Sequence, residues 1–111
     1  MSIEEKFDGI KIIAVFDGWV QVDTYAYEKQ TDDGLECTQC FDLEYATSFD
    51  YLMPIIKKFS ELEFEGLDLE NYMTREFKIS DIQNEMFKSY SAHKVFPLVV
   101  EAIEWYNSNK K

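Results

Sequence analysis

The closing stretch of the chain constrains the fold most. Val95, Leu98, Val99, Ala102, Ile103 and Tyr106 recur at the i, i+3, i+4, i+7, i+8, i+11 spacing of a helix with one apolar face. Such a stripe is stable only against a second apolar surface, which the rest of the chain must supply. Ser91 is placed to cap this helix, Pro97 is tolerable if it falls in the first turn, and Lys110 and Lys111 lie at the negative end of its dipole.

Upstream, the pattern turns to alternation. Residues 10–16 are rich in β-branched side chains and run into Asp17-Gly18, a dipeptide suited to the φ > 0 positions of a type I′ turn. They read as the first strand of a hairpin, although a short amphipathic helix ending at Asp17-Gly18 fits the same run. In the next stretch Trp19, Gln21, Asp23, Tyr25 and Tyr27 fall on one face, with Val20, Val22, Thr24 and Ala26 on the other. Thr31-Asp32-Asp33-Gly34 is a turn signal, and Leu35 to Tyr45 reads as a third strand.

A helix follows, with Thr47 as its cap, Asp50 in its first turn, and Phe49, Leu52, Met53, Ile56 and Phe59 at helical spacing. Pro54 requires a kink or a regular start near Leu52. Residues 61–70 read as a helix exit leading into extended chain, and residues 74–80 and 85–90 as two short strands. The predicted architecture is α+β, a single domain over residues 1–111. A small antiparallel sheet packs against two helices, in the order three strands, helix, two strands, helix.

The 111 residues, 46% hydrophobic and 16% aromatic, suffice for one core and leave no room for a second domain. No apolar run approaches the roughly 18 to 20 residues that cross a bilayer, and the start lacks the regions of a signal peptide, so a cytoplasmic protein is expected. Twenty-two acidic residues against eleven basic ones give a net charge of -11. That charge repels phosphate backbones and anionic lipid, which disfavours direct contact with nucleic acid or membrane and favours a basic protein partner. The plain alternative is a surface that merely keeps the protein dissolved.

Thr47-Ser48-Phe49-Asp50-Tyr51-Leu52-Met53-Pro54-Ile55-Ile56 and Ala102-Ile103-Glu104-Trp105-Tyr106-Asn107 resemble a group of short bacteriophage and prophage proteins. In that group a Ser-Trp-Asp-Trp-Leu-Met-Pro-Val stretch is followed later by Phe-Ile-Lys-Trp-Tyr-Asn. Phe49 and Tyr51 stand where the pattern has its two tryptophans, and residues 1–45 lie outside the matching stretches. The resemblance implies a phage-related accessory protein and carries no activity with it.

Four sets of residues are candidates for chemistry. Cys37 and Cys40 form a C-x-x-C, but on a strand residues three apart face opposite ways, and a structural zinc needs four ligands where only His93 could join them. Ordinary packing thiols are the plain reading. His93, the sole histidine, could act as a general base or simply sit exposed beside the last helix. Glu61, Glu63, Glu65, Asp68 and Glu70 form an acidic series that lacks the order of a calcium loop and reads equally as a solvated face. Trp19, Tyr25 and Tyr27 belong to an aromatic set that serves either a partner surface or the core.

No phosphate-binding glycine loop, nucleophile elbow or H-E-x-x-H is present, and no cofactor is expected. The favoured expectation is a non-enzymatic accessory protein acting by protein–protein contact. It would be an acidic inhibitor of a basic, nucleic-acid-binding host protein, working in the host cytoplasm. The alternatives are a small metal- or ligand-binding domain or enzyme using Cys37, Cys40 and His93, and a homo-oligomer formed through the aromatic surface.

Overall fold

In the computed structural model, which describes residues 3–39, 42–62 and 69–109, four helices pack together and a three-stranded antiparallel sheet lies against their side. In chain order these are α1 (Ile3–Phe16), β1 (Val20–Gln21), β2 (Ala26–Thr31), β3 (Gly34–Gln39), α2 (Phe49–Ser60), α3 (Leu69–Ser89) and α4 (Ala92–Asn109). The class is α+β as expected, and the closing helix is where the sequence places it, but the order differs at the first element and between α2 and α4.

Helix α4 is the hub against which α1, α2 and α3 all pack. Its predicted stripe holds, with Val95, Val99, Ala102 and Ile103 buried and Phe96 added to them. Pro97 lies in the second turn rather than the first, and Pro54 sits at the same depth in α2. Each removes the N–H that would have bonded the carbonyl four residues back, yet both helices run on. Helix α2 buries Leu52, Ile55, Ile56 and Phe59. Its N-cap position is Ser48 and not Thr47, with extended backbone and no side-chain capping bond. Lys110 and Lys111 lie outside the described residues.

Residues 10–16 belong to α1, so the first hairpin is replaced by a helix. Ile10, Ile13 and Ala14 form its buried stripe. Asp17-Gly18 is not a hairpin turn but the helix's C-terminal cap. Gly18 has φ +99°, its N–H donates to the Val15 carbonyl at 3.1 Å, and the Trp19 N–H donates to the Ala14 carbonyl at 3.0 Å. These are the paired bonds of a Schellman motif. The dipeptide supplies positive φ in either setting, and the apolar face decides which one forms. Lys58 of α2 completes the cap by donating its ammonium to the Phe16 carbonyl and lying over the Phe16 ring at 5.0 Å.

Residues 74–80 and 85–90 are also helical, in α3, and not strands. Their local alternation hides Arg75, Ile79 and Ile82, all buried at i, i+4, i+7, and the run from 69 to 89 contains neither Gly nor Pro. At its end Tyr90 takes φ 52° and donates its N–H to the Met86 carbonyl at 3.0 Å. A left-handed residue that usually would be glycine thus stops the helix.

The sheet order is β1-β2-β3. Thr31 pairs with Gly34 across Asp32-Asp33, as the turn signal predicts, and Gly34 has φ +122°. The Asp23 carbonyl accepts the Ala26 N–H at 3.3 Å, closing a second turn inside the stretch expected to be one strand. Tyr27 is the only fully buried residue of the described strands, so it is the main apolar anchor of the sheet on the helices. Among the described residues nothing pairs with the outer side of β3.

Candidate functional site

The chain's charge is not spread evenly over this framework. Residues 17–45 hold eight carboxylates against one lysine, a net -7 of the total -11. They form the sheet and its flanking loops, where Asp23, Asp32, Asp33, Glu36, Asp42 and Glu44 are exposed. The helices carry acids and bases in near balance, so the sheet end of the molecule is the negative pole.

Beneath the sheet a small network ties three elements together. The Tyr45 hydroxyl donates to Asp17 Oδ2 at 2.7 Å, and the Lys29 ammonium pairs with Asp17 Oδ1 at 3.4 Å while lying 5.4 Å from the Trp19 ring centre. Tyr45 is buried, and desolvation first, then the neighbouring Asp17 carboxylate, pushes its phenol well above the ordinary tyrosine range. Tyr51 packs edge-on to the Tyr45 ring at 5.9 Å. Between this network and β3 opens a cleft of about 370 Å³ walled by Trp19, Glu36, Cys37, Thr38, Asp42, Leu43 and Tyr51.

Among the described residues a depression beside Pro54, Lys57, Lys58, Glu61 and Leu62 has no aromatic wall, and two more bear on the choice of site. One, of about 300 Å³, lies between α1 and α4 and brings together Glu5, Asp8, Glu101 and Glu104. The other, of about 500 Å³, lies between α2 and α3 and is lined by Phe49, Met53, Ile56, Met86, Phe87 and Tyr90 without a charged side chain.

The candidates read from the sequence fare unevenly. Trp19 is half-buried at the cleft, and Tyr25 is exposed in the turn before β2. Tyr27 is enclosed in the core, which corrects its placement in a partner surface: the turn at Asp23–Ala26 breaks the expected single strand, so Tyr27 faces inward while Tyr25 stays exposed. Cys37 is exposed on β3, with its thiol donating to Glu28 Oε1 at 3.9 Å. Cys40 lies outside the described residues. His93 is exposed in the first turn of α4. Among the described residues no three His, Cys, Asp or Glu side chains converge as metal ligands.

Glu61 caps the end of α2 and Glu70 opens α3, both exposed, while Glu63, Glu65 and Asp68 lie outside the described residues. The acids of residues 17–45 were missed because they are dispersed in sequence and gathered only by the sheet. A segment-by-segment charge count would have found them. Among the described residues no helix is long and apolar enough to cross a membrane. No family model, curated protein or solved structure matches the chain.

Proposed function

We propose that this protein is a non-catalytic, phage- or prophage-related accessory protein of the cytoplasm. On this reading it acts by binding a basic protein, and its carboxylates occupy a surface that otherwise receives a phosphate backbone. The observation that carries the reading is the concentration of seven net negative charges on residues 17–45. A pole of one sign steers a partner of the opposite sign and orients it on approach, and it repels nucleic acid itself. The phage setting is supported by the sequence resemblance of the stretches around Tyr51 and Trp105 alone.

The reading is tested by capture from bacterial lysate with the wild-type chain and with a variant carrying Asp23→Asn, Asp32→Asn and Asp33→Asn. Nucleic-acid-binding proteins are expected on the wild type at about 50 mM salt and should be released at about 0.5 M, where the screening length falls to a few ångströms. The variant should retain much less. Equal recovery on both, or recovery indifferent to salt, would overturn the reading.

A further inference from the structure

We infer that the cleft between β3 and the loop preceding α2 is a receptor for a guanidinium group presented by the basic partner. This rests on the reading that the partner is basic, and it names the chemistry of the contact. Trp19 and Tyr51 offer aromatic surfaces, while Glu36 and Asp42 offer exposed carboxylates, all in one cavity of about 370 Å³. Aromatic faces attract cations through the ring quadrupole, and a flat guanidinium can stack on a ring while its N–H fork bonds a carboxylate. An anion would meet carboxylates with no cation in the lining, and a neutral apolar ligand would leave them without a counter-charge.

The protein already uses this chemistry on itself. The Lys29 ammonium lies over the Trp19 ring at 5.4 Å with Asp17 as its counter-ion at 3.4 Å, so the indole is positioned as a platform for cations. Lys29 is the one cation in residues 17–45, and its charge is met by Asp17, leaving Glu36 and Asp42 for an incoming group. The walls are also held in place. Tyr51 is braced edge-on against Tyr45, which is fixed in turn by its bond to Asp17, and Leu43 is buried at the floor. A site set beforehand loses little freedom on binding.

The other depressions lack one half of this combination. The α1–α4 cleft has acids without an aromatic wall, and the α2–α3 groove has aromatics without charge.

The test uses a short blocked arginine-rich peptide and its citrulline counterpart, which keeps the shape and removes the charge. Binding is measured by calorimetry, with the Trp19 indole N–H resonance followed by NMR. The wild type should bind the arginine peptide, shift Trp19, and ignore the citrulline peptide. Glu36→Gln with Asp42→Asn should weaken binding about tenfold and abolish the Trp19 shift. Glu101→Gln with Glu104→Gln removes the same charge elsewhere and should weaken it by no more than about threefold.

Equal weakening in both double variants, with Trp19 unmoved in the wild type, would overturn the cleft as the site while leaving a basic partner in place. Failure of the wild type to prefer arginine over citrulline at low salt would overturn both the cleft and the basic partner.

Discussion

Tyr45 shows how one side chain fixes several elements. Its ring fills space beneath the sheet, and its hydroxyl holds Asp17 just past the end of α1. Below its ordinary value of 10.0 the phenol is protonated in the folded and unfolded chain alike. Above it the unfolded chain releases the proton while the folded one, whose value is raised, keeps it. The contribution is therefore complete at neutral pH and declines as pH climbs through the alkaline range. Tyr45→Phe is expected to cost about 1–2 kcal/mol at neutral pH through the lost bond. It should also flatten the decline in urea midpoint between about pH 8 and pH 11. Parallel slopes for the two proteins would count against the buried phenol as the cause. Asp17, in turn, joins Tyr45 to Lys29, so its replacement loosens more than one contact.

At the scale of elements, the crossing of α1 and α4 depends on Gly9. A Cβ there would stand 2.7 Å from Phe96 Cζ and 3.0 Å from Val100 Cγ2. Alanine is the better helix former by about 1 kcal/mol, but overfilling a packed contact costs about 1–3 kcal/mol. Gly9→Ala should lower Tm, and trimming the ring with Phe96→Leu should make the same alanine less harmful. A rise in Tm on Gly9→Ala alone would mean that the helices do not meet this closely. How much of the fold was legible follows from such contacts. The α4 stripe was plain because many apolar residues repeat at one spacing, and the Asp32-Asp33-Gly34 turn because few other uses fit those residues. Helix α1 was ambiguous because β-branched residues suit a strand, and only the burial of Ile10, Ile13 and Ala14 in the shared core settles the matter. Helix α3 was misread because Phe77 and Ile79 alternate locally, although Phe77 is exposed and Ile79 is buried. Of the candidate site, Trp19 was legible as an aromatic of interest. Its partners Glu36, Asp42 and Tyr51 are brought to it by strand pairing and the turn into α2, which no local pattern announces.

The whole molecule has two unlike ends. Its radius of gyration, 14.3 Å, slightly exceeds the roughly 13 Å expected of a chain this long, as befits a sheet that stands off a helical body. The helical end is near charge balance and carries the apolar α2–α3 groove, while the sheet end carries most of the net charge. At that end the outer edge of β3, Gly34–Gln39, contains no proline or lysine to discourage another strand. What stands guard is mutual repulsion, since a second copy would bring Asp32, Asp33 and Glu36 against their own kind. That guard is only as durable as the ionisation of carboxylates. Near the isoelectric point of about 4.4 it weakens, and copies should then zip edge to edge. Light scattering and thioflavin fluorescence should rise as pH falls toward that value, and Leu35→Lys on the exposed strand should suppress the rise. Acidity in this chain thus doubles as a solubility device whose failure has a definite address.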